Sequence, residues 1–180
     1  MGKVHEIIDE PLRRWIEAQH LVFVGTAALS GDATVNLSPK GMAGTFEVLD
    51  DHRCAYLDLT GSGVETIAHL RENGRITVMW CAFDGPPRSV RIHGTGQVVE
   101  PTDPEWADLS GHFPALRGAR AIIVITAARI SDSCGYSVPL MEFVDDRPTL
   151  ANWAEKRTDE ELEAYRELKN SVSIDGLPGL

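Results

Sequence analysis

Cysteine is scarce in this chain: Cys54, Cys81 and Cys134 are the only three in 180 residues, and no CxxC spacing occurs. An odd, unpatterned set argues against a disulfide framework or a zinc ribbon, and it fits reduced thiols in a cytoplasmic protein. Positive charge is also short. Seventeen Lys and Arg stand against 27 Asp and Glu, a net charge of −10, which speaks against non-specific attachment to nucleic acid or to an anionic membrane surface. No apolar run reaches spanning length. The opening "MGKVHEIIDEPLRRW" lacks the apolar core expected of a signal peptide, and the Ser or Thr of a myristoylation site does not follow Met1-Gly2. Several catalytic signatures are missing too. There is no GxSxG elbow, no Walker A Gly-Lys-Ser/Thr and no GxGxxG within a βαβ unit. The six histidines form no HxH or HExxH pattern, so no metal site is expected. No spacing of carboxylates names a general acid.

What remains is ordinary globular composition, 43% hydrophobic and 24% charged, and one domain over residues 1–180 is expected. Apolar residues at roughly helical spacing over residues 4–19 predict an N-terminal helix, with a kink at Pro11. Strands are predicted in "LVFVGTAAL", "TVNLSPKG", "TFEVLDDHRCAYLDL" (strand, Asp50-Asp51 turn, strand), "RITVMWCAF", "SVRIHGTGQVVE" and "ARAIIVITAARISDS". Pro39 marks an edge or a strand end. A helix is expected after Gly63, ending near Asn73-Gly74. A shorter one is expected in "DPEWADLSGHF", with Asp103 as its cap and Pro104 at its first position. The stretch "TLANWAEKRTDEELEAYRELKN" is rich in helix formers. Tight turns between strands imply antiparallel pairing, and such a sheet tends to close into a barrel. The expected fold is therefore mainly β (α+β). A barrel core of about residues 20–132 is followed by a helical extension over about 148–180.

The most informative stretch is "YLDLTGSGVETIAHLRENGRITVMW", where a strand hands over to a helix through Thr60-Gly61-Ser62-Gly63. Unpaired N–H groups at a helix start, hydroxyls beside them and glycines that admit close approach make a phosphate site. The same residues also read as a simple capped helix, with Ser62 at the N-cap and Glu65 as its capping-box partner. Lys40 stands at a predicted strand end. Arg88 lies next to a turn, and Arg91 points away from the face of Val90 and Ile92. Each of these cations has a solvated face as its plain alternative. Trp80, Trp106 and Trp153 read as core or interface. His20, His52, His69 and His112 read as surface or satisfied residues, and His93 is ambiguous. Cys134 lies in a loop with no base in view to activate it.

"VNLSPKG", "YLDLTGSGVETIAHLRENGRITVMW" and "PPRSVRIHGTGQVV" together resemble the pyridoxamine 5'-phosphate oxidase-like family over roughly residues 21–99. "SCGYSVP" and "AEKR…YRELKNSVSIDGLPGL" are similar to the tail of an uncharacterised branch of it. The resemblance implies a six-stranded antiparallel split β-barrel with an N-terminal, an inserted and a C-terminal helix. It also implies a homodimer with flavin mononucleotide (FMN) in a cleft at the interface, and a small-molecule substrate. By position, Leu37, Ser38 and Lys40 would run beside the flavin ring, and Asp58, Leu59 and Thr60 would flank it. Ser62, Gly63, Glu65 and Thr66 would grip the phosphate, and Arg88 would reach the cofactor from the far side.

Two departures from the family are visible. Pyridoxamine 5'-phosphate oxidases carry an adjacent Arg-Lys pair at the phosphate turn, whereas this chain has Val64-Glu65-Thr66. The neutralising charge would then have to come from Lys40, Arg88 or a partner-chain arginine. The chain also ends in "SIDGLPGL" instead of a substrate-holding segment with arginine and histidine, so the vitamin B6 reaction is not expected. A flavin-dependent oxidoreductase leads. A deazaflavin-dependent reductase and a non-catalytic flavin- or haem-binding module are the alternatives.

Overall fold

The computed structural model describes residues 2–180. Its first element is a short strand where a helix was expected. β1 (Val4–His5) pairs antiparallel with Ser131 and Ile130, and helix α1 covers only Glu10–Glu17. The reason is local. Asp9 is the N-cap, and its carboxylate accepts from the Leu12 N–H at 2.9 Å. Pro11 sits in the first turn, where its missing donor would have had no partner anyway. The proline starts this helix and does not kink it.

The chain continues through β2 (Val22–Ala27), β3 (Val35–Lys40), β4 (Phe46–Val48), β5 (Arg53–Leu59), α2 (Glu65–Asn73), β6 (Arg75–Cys81) and β7 (Ser89–Val99). It ends with α3 (Trp106–Ser110), β8 (Ala119–Ser133), α4 (Thr149–Glu155) and α5 (Asp159–Asn170). The strands form one antiparallel sheet in the order β3-β2-β6-β7-β8-β5-β4, with β1 added to β8. β3 and β4 end the path and do not pair with each other. The sheet is therefore an open, split barrel with eight strands instead of six. The strand that the sequence did not predict is β1, of two residues, while β4, of three, is the first strand of the predicted "TFEVLDDHRCAYLDL" pair. β8, at 15 residues, is long enough to pair with β7 over most of its length and with β5 and then β1 over different parts of it.

Alternation along β8 explains why its sequence reads as a continuous apolar run. Ile123 and Ile125 join the interior cluster with Tyr56, Val78, Trp80 and Ile92. Ile122 and Val124 pack on the other face with Leu57, Val99 and Phe113, against Trp106 and Leu109 of α3. Both faces of the strand are covered, so both registers must be hydrophobic. α3 starts later than expected. The Asp103 carboxylate accepts from the Glu100 N–H at 2.8 Å, so it serves the preceding turn and does not cap the helix. The C-terminal stretch splits into α4 and α5 because Thr158 forms a reciprocal capping box with Glu161. No helix among the described residues is long and apolar enough to cross a membrane.

Candidate functional site

Lys40, at the end of β3, reaches a strand it does not pair with. Its Nζ donates to Asp58 Oδ1 of β5 at 2.8 Å. On the other side of that carboxylate, Arg120 Nε of β8 donates to Oδ2 at 2.7 Å. Asp58 is 1% exposed and Arg120 5%, so this is a buried carboxylate held between two cations. Burial alone would push the Asp58 pKa up. The Lys40 and Arg120 charges and their hydrogen bonds outweigh it and hold the carboxyl below the usual carboxylate range.

Lys40 and Arg120, with Asp58 between them, line a cleft of about 710 Å³, within the roughly 300–1,000 Å³ usual for small-molecule sites. Leu57 and Leu59 of β5, Ser38 and Lys40 of β3, Arg120, and Gly61, Gly63, Glu65 and Thr66 at the start of α2 all line it. Thr66 is oriented by a buried polar chain. Asn36 Nδ2 donates to Thr66 Oγ1 and to Thr26 Oγ1, each at 3.0 Å, and Ser38 Oγ donates to Asn36 Oδ1 at 2.9 Å. The chain ends at His69, whose Nδ1 lies 3.0 Å from Thr26 Oγ1. His69 was expected at the surface or satisfied. It is fully buried, because α2 lays that face on β2, and its Nε2 has no partner among the described residues.

The irregular segment 136–148 between β8 and α4 supplies further lining, from Met141 to Arg147. Phe143 stacks on His20, with ring centroids 3.6 Å apart and planes 6° from parallel. The Met141 N–H donates to the Phe83 carbonyl at 2.8 Å, and the Ala43 N–H to Asp146 Oδ2 at 2.9 Å.

The turn before α2 is built differently from the capping box. The N-cap is Val64, and no side chain caps this helix start. Ser62 is exposed. Glu65 Oε1 accepts from the Ile174 N–H of the C-terminal tail at 3.3 Å. The turn is held by its carbonyls instead. Arg120 Nη2 donates to the Gly63 carbonyl at 2.8 Å, and Asn170 Nδ2 of α5 to the Gly61 carbonyl at 2.9 Å. Ser62→Ala should therefore leave thermal stability within about 0.5 kcal/mol of wild type. An N-cap loss of about 1 kcal/mol in a melting experiment would mean that Ser62 does cap α2.

The other residues singled out from the sequence scatter. Thr60 is buried behind the turn, donating to the Gly118 carbonyl at 2.8 Å and accepting from Arg166 Nε at 3.1 Å. Leu37 lies on the outer face of β3 and is 67% exposed. Arg88 lies outside the cleft of its own chain. It donates to Asp132 Oδ2 at 2.9 Å, and its guanidinium sits 5.0 Å from the centre of the Trp15 ring. All three cysteines are free thiols, and burial pushes the Cys54 and Cys81 pKa values up.

Sequence reading missed Arg120. Its signal was present, since an arginine beside five consecutive apolar residues in a central strand is out of place unless paired. Asn170 and Arg166 carried no signal, because they sit among other polar residues of α5.

The sequence model of the family described as pyridoxamine 5'-phosphate oxidase matches residues 8–134. A curated relative from Aspergillus flavus, the pyridoxamine 5'-phosphate oxidase family protein ustO, is 42% identical over 192 aligned residues, covering 98% of this chain and 77% of the relative. Among solved structures, HupZ of Group A Streptococcus matches with a TM-score of 0.52 at 21% identity, over 68% of this chain and 91% of HupZ. The conserved hypothetical protein Rv2991 of Mycobacterium tuberculosis matches with a TM-score of 0.50 at 15% identity, over 78% and 93% of the two chains. At such identities these two structures speak for the fold alone.

Proposed function

The chain belongs to the pyridoxamine 5'-phosphate oxidase family, and on that premise we propose that its cleft binds FMN and that the loaded protein is an oxidoreductase acting on a small molecule. The observation that carries this reading is the cleft itself. It brings the apolar residues Leu57, Leu59 and Phe143 together with the cations Lys40 and Arg120, beside a glycine-rich turn. A flat, largely apolar ring with one anionic tail asks for that combination. The donor set fits, since Lys40, Thr66, the Gly63 turn and Arg120 line the cleft, and Arg120 Nη1 is buried without a partner among the described residues. When bound, the flavin supplies hydride transfer at its N5 position, while the protein supplies orientation and electrostatics. Ser38, Lys40 and Leu59 would hold the ring. The Phe143–His20 stack and the Met141–Phe83 hydrogen bond would keep water from it.

The same reading makes the protein a homodimer. β3 is an edge strand, and its outward face carries Val35 and Leu37, 78% and 67% exposed. Leu140 and Val144 of the irregular segment are exposed as well. Apolar residues along an open edge call for a cover, and a second copy supplies it. The free thiols suit a cytoplasmic setting.

Size-exclusion chromatography with in-line light scattering and absorbance tests both parts. Flavin absorption should co-elute with a particle of twice the 19.7 kDa chain mass, and it should bleach on reduction. A colourless protein that takes up no added FMN would overturn the flavin reading. A flavin-loaded monomer would overturn the dimer alone.

A further inference from the structure

Resting on the FMN reading, we propose that Arg120 of β8 is the residue that seats the cofactor's phosphate, in place of a cation within the turn itself. The turn residues Val64, Glu65 and Thr66 bring no positive charge. The one carboxylate among them, Glu65, is drawn toward the C-terminal tail by the Ile174 N–H and lies over Gly63, where an added Cβ would meet Glu65 Oε2 at 2.6 Å. A dianionic phosphate at this turn therefore needs a cation from elsewhere in the fold.

Arg120 meets that need by position. Its guanidinium is fixed at two corners, Nε on Asp58 Oδ2 and Nη2 on the Gly63 carbonyl. The second bond brings the group to the turn, and the residue lines the cleft. Its third nitrogen, Nη1, is buried with no partner among the described residues. A buried, unpaired guanidinium N–H is costly, because it has lost water and gained nothing. Asp58 acts here as a positioning residue. It orients Arg120 while also binding Lys40 Nζ, and two cations against one carboxylate leave these three residues with one net positive charge among themselves. Arginine suits the role because its fork is rigid and presents several donors at fixed angles, as phosphate recognition demands.

A purely structural Arg120 predicts something different. It would hold the turn in shape for any flavin, with or without a phosphate. FMN and riboflavin share the ring and the ribityl chain and differ in the phosphate alone, so the pair separates the two cases. The experiment is a fluorescence titration of both flavins against wild type, Arg120→Gln and Arg120→Lys, with thermal melts to check folding. Wild type should hold FMN more tightly than riboflavin. Arg120→Gln should weaken FMN by about 10- to 100-fold and leave riboflavin within about threefold, and Arg120→Lys should recover part of the loss. If Arg120→Gln does not fold, because Asp58 has lost its buried partner, the double variant Asp58→Asn/Arg120→Gln leaves no buried carboxylate unpaired and is read in the same way. An equal loss for both flavins, or an unchanged FMN preference, overturns this inference and leaves the proposed function standing. A wild type that binds neither flavin overturns both.

Discussion

Asp58→Ala should be among the most damaging single substitutions in this chain, costing about 3–5 kcal/mol of stability in chemical or thermal unfolding. The carboxylate is the shared partner of two cations, and its removal leaves them facing each other. Most of the cost falls on Arg120, whose side chain is 5% exposed and cannot regain water, whereas Lys40, with 26% of its side chain exposed, can turn outward. Asp58→Asn keeps the shape and one acceptor, so it should cost less. The pH dependence follows from the sign of the shift. Asp58 has a folded pKa below its ordinary value. Its contribution is therefore fully present above the ordinary carboxylate range, near 4, and is lost as pH falls through the lower folded value. Wild type should accordingly lose more stability than Asp58→Ala between neutral and strongly acidic pH. Equal acid sensitivity of the two proteins, or a loss below about 1 kcal/mol at neutral pH, would mean that the triad contributes little.

The second large effect is expected far from the cleft, at Gly94→Ala. Gly94 lies in the middle of β7 at a register shift, paired with Ile76 on one side and Ala127 on the other. A Cβ there would stand 2.0 Å from the Thr126 carbonyl oxygen and 2.9 Å from its carbon. Both atoms are backbone of a neighbouring strand, so relief requires β7 and β8 to separate. The cost should reach or exceed the upper end of the roughly 1–3 kcal/mol usual for overpacking. Gly96→Ala offers a graded comparison. Its nearest contacts, at 2.7 and 2.8 Å, are the tips of the Leu70 side chain, which can change rotamer. Gly31→Ala, where an added Cβ meets nothing within 4 Å, should be close to neutral. Urea midpoints of the three variants should rank in that order. A Gly94→Ala protein as stable as wild type would show that the bulge yields easily.

The candidate site was legible in part. Of the residues close in sequence to a turn or a strand end, Lys40, Leu59, Gly63 and Thr66 line one cleft, and Asp58 is bound to Lys40. Leu37 faces outward, although Ser38 beside it lines the cleft. Side chains alternate along a strand, and the carry-over by position did not choose a face. Ser62 and Glu65 have the spacing of a capping box, but the C-terminal tail and the β8 arginine hold that turn by other bonds. Arg88 is drawn to Asp132 and Trp15 on a different wall.

Periodicity, turn residues and the apolar run of β8 determined by themselves that this is an antiparallel sheet with one helix inserted between β5 and β6. Those signals are local, since each strand and turn is specified by its own neighbours. Three things were decided only in the folded chain. Val4–His5 became a strand because β8 is long enough to accept it. His69 became buried because α2 lies on β2. Lys40, Asp58 and Arg120, with 62 residues separating the last two, became one charged unit because β3, β5 and β8 converge at the split. A buried ion pair depends on which strands end beside one another, and that is a property of the folded sheet and not of any stretch of its sequence.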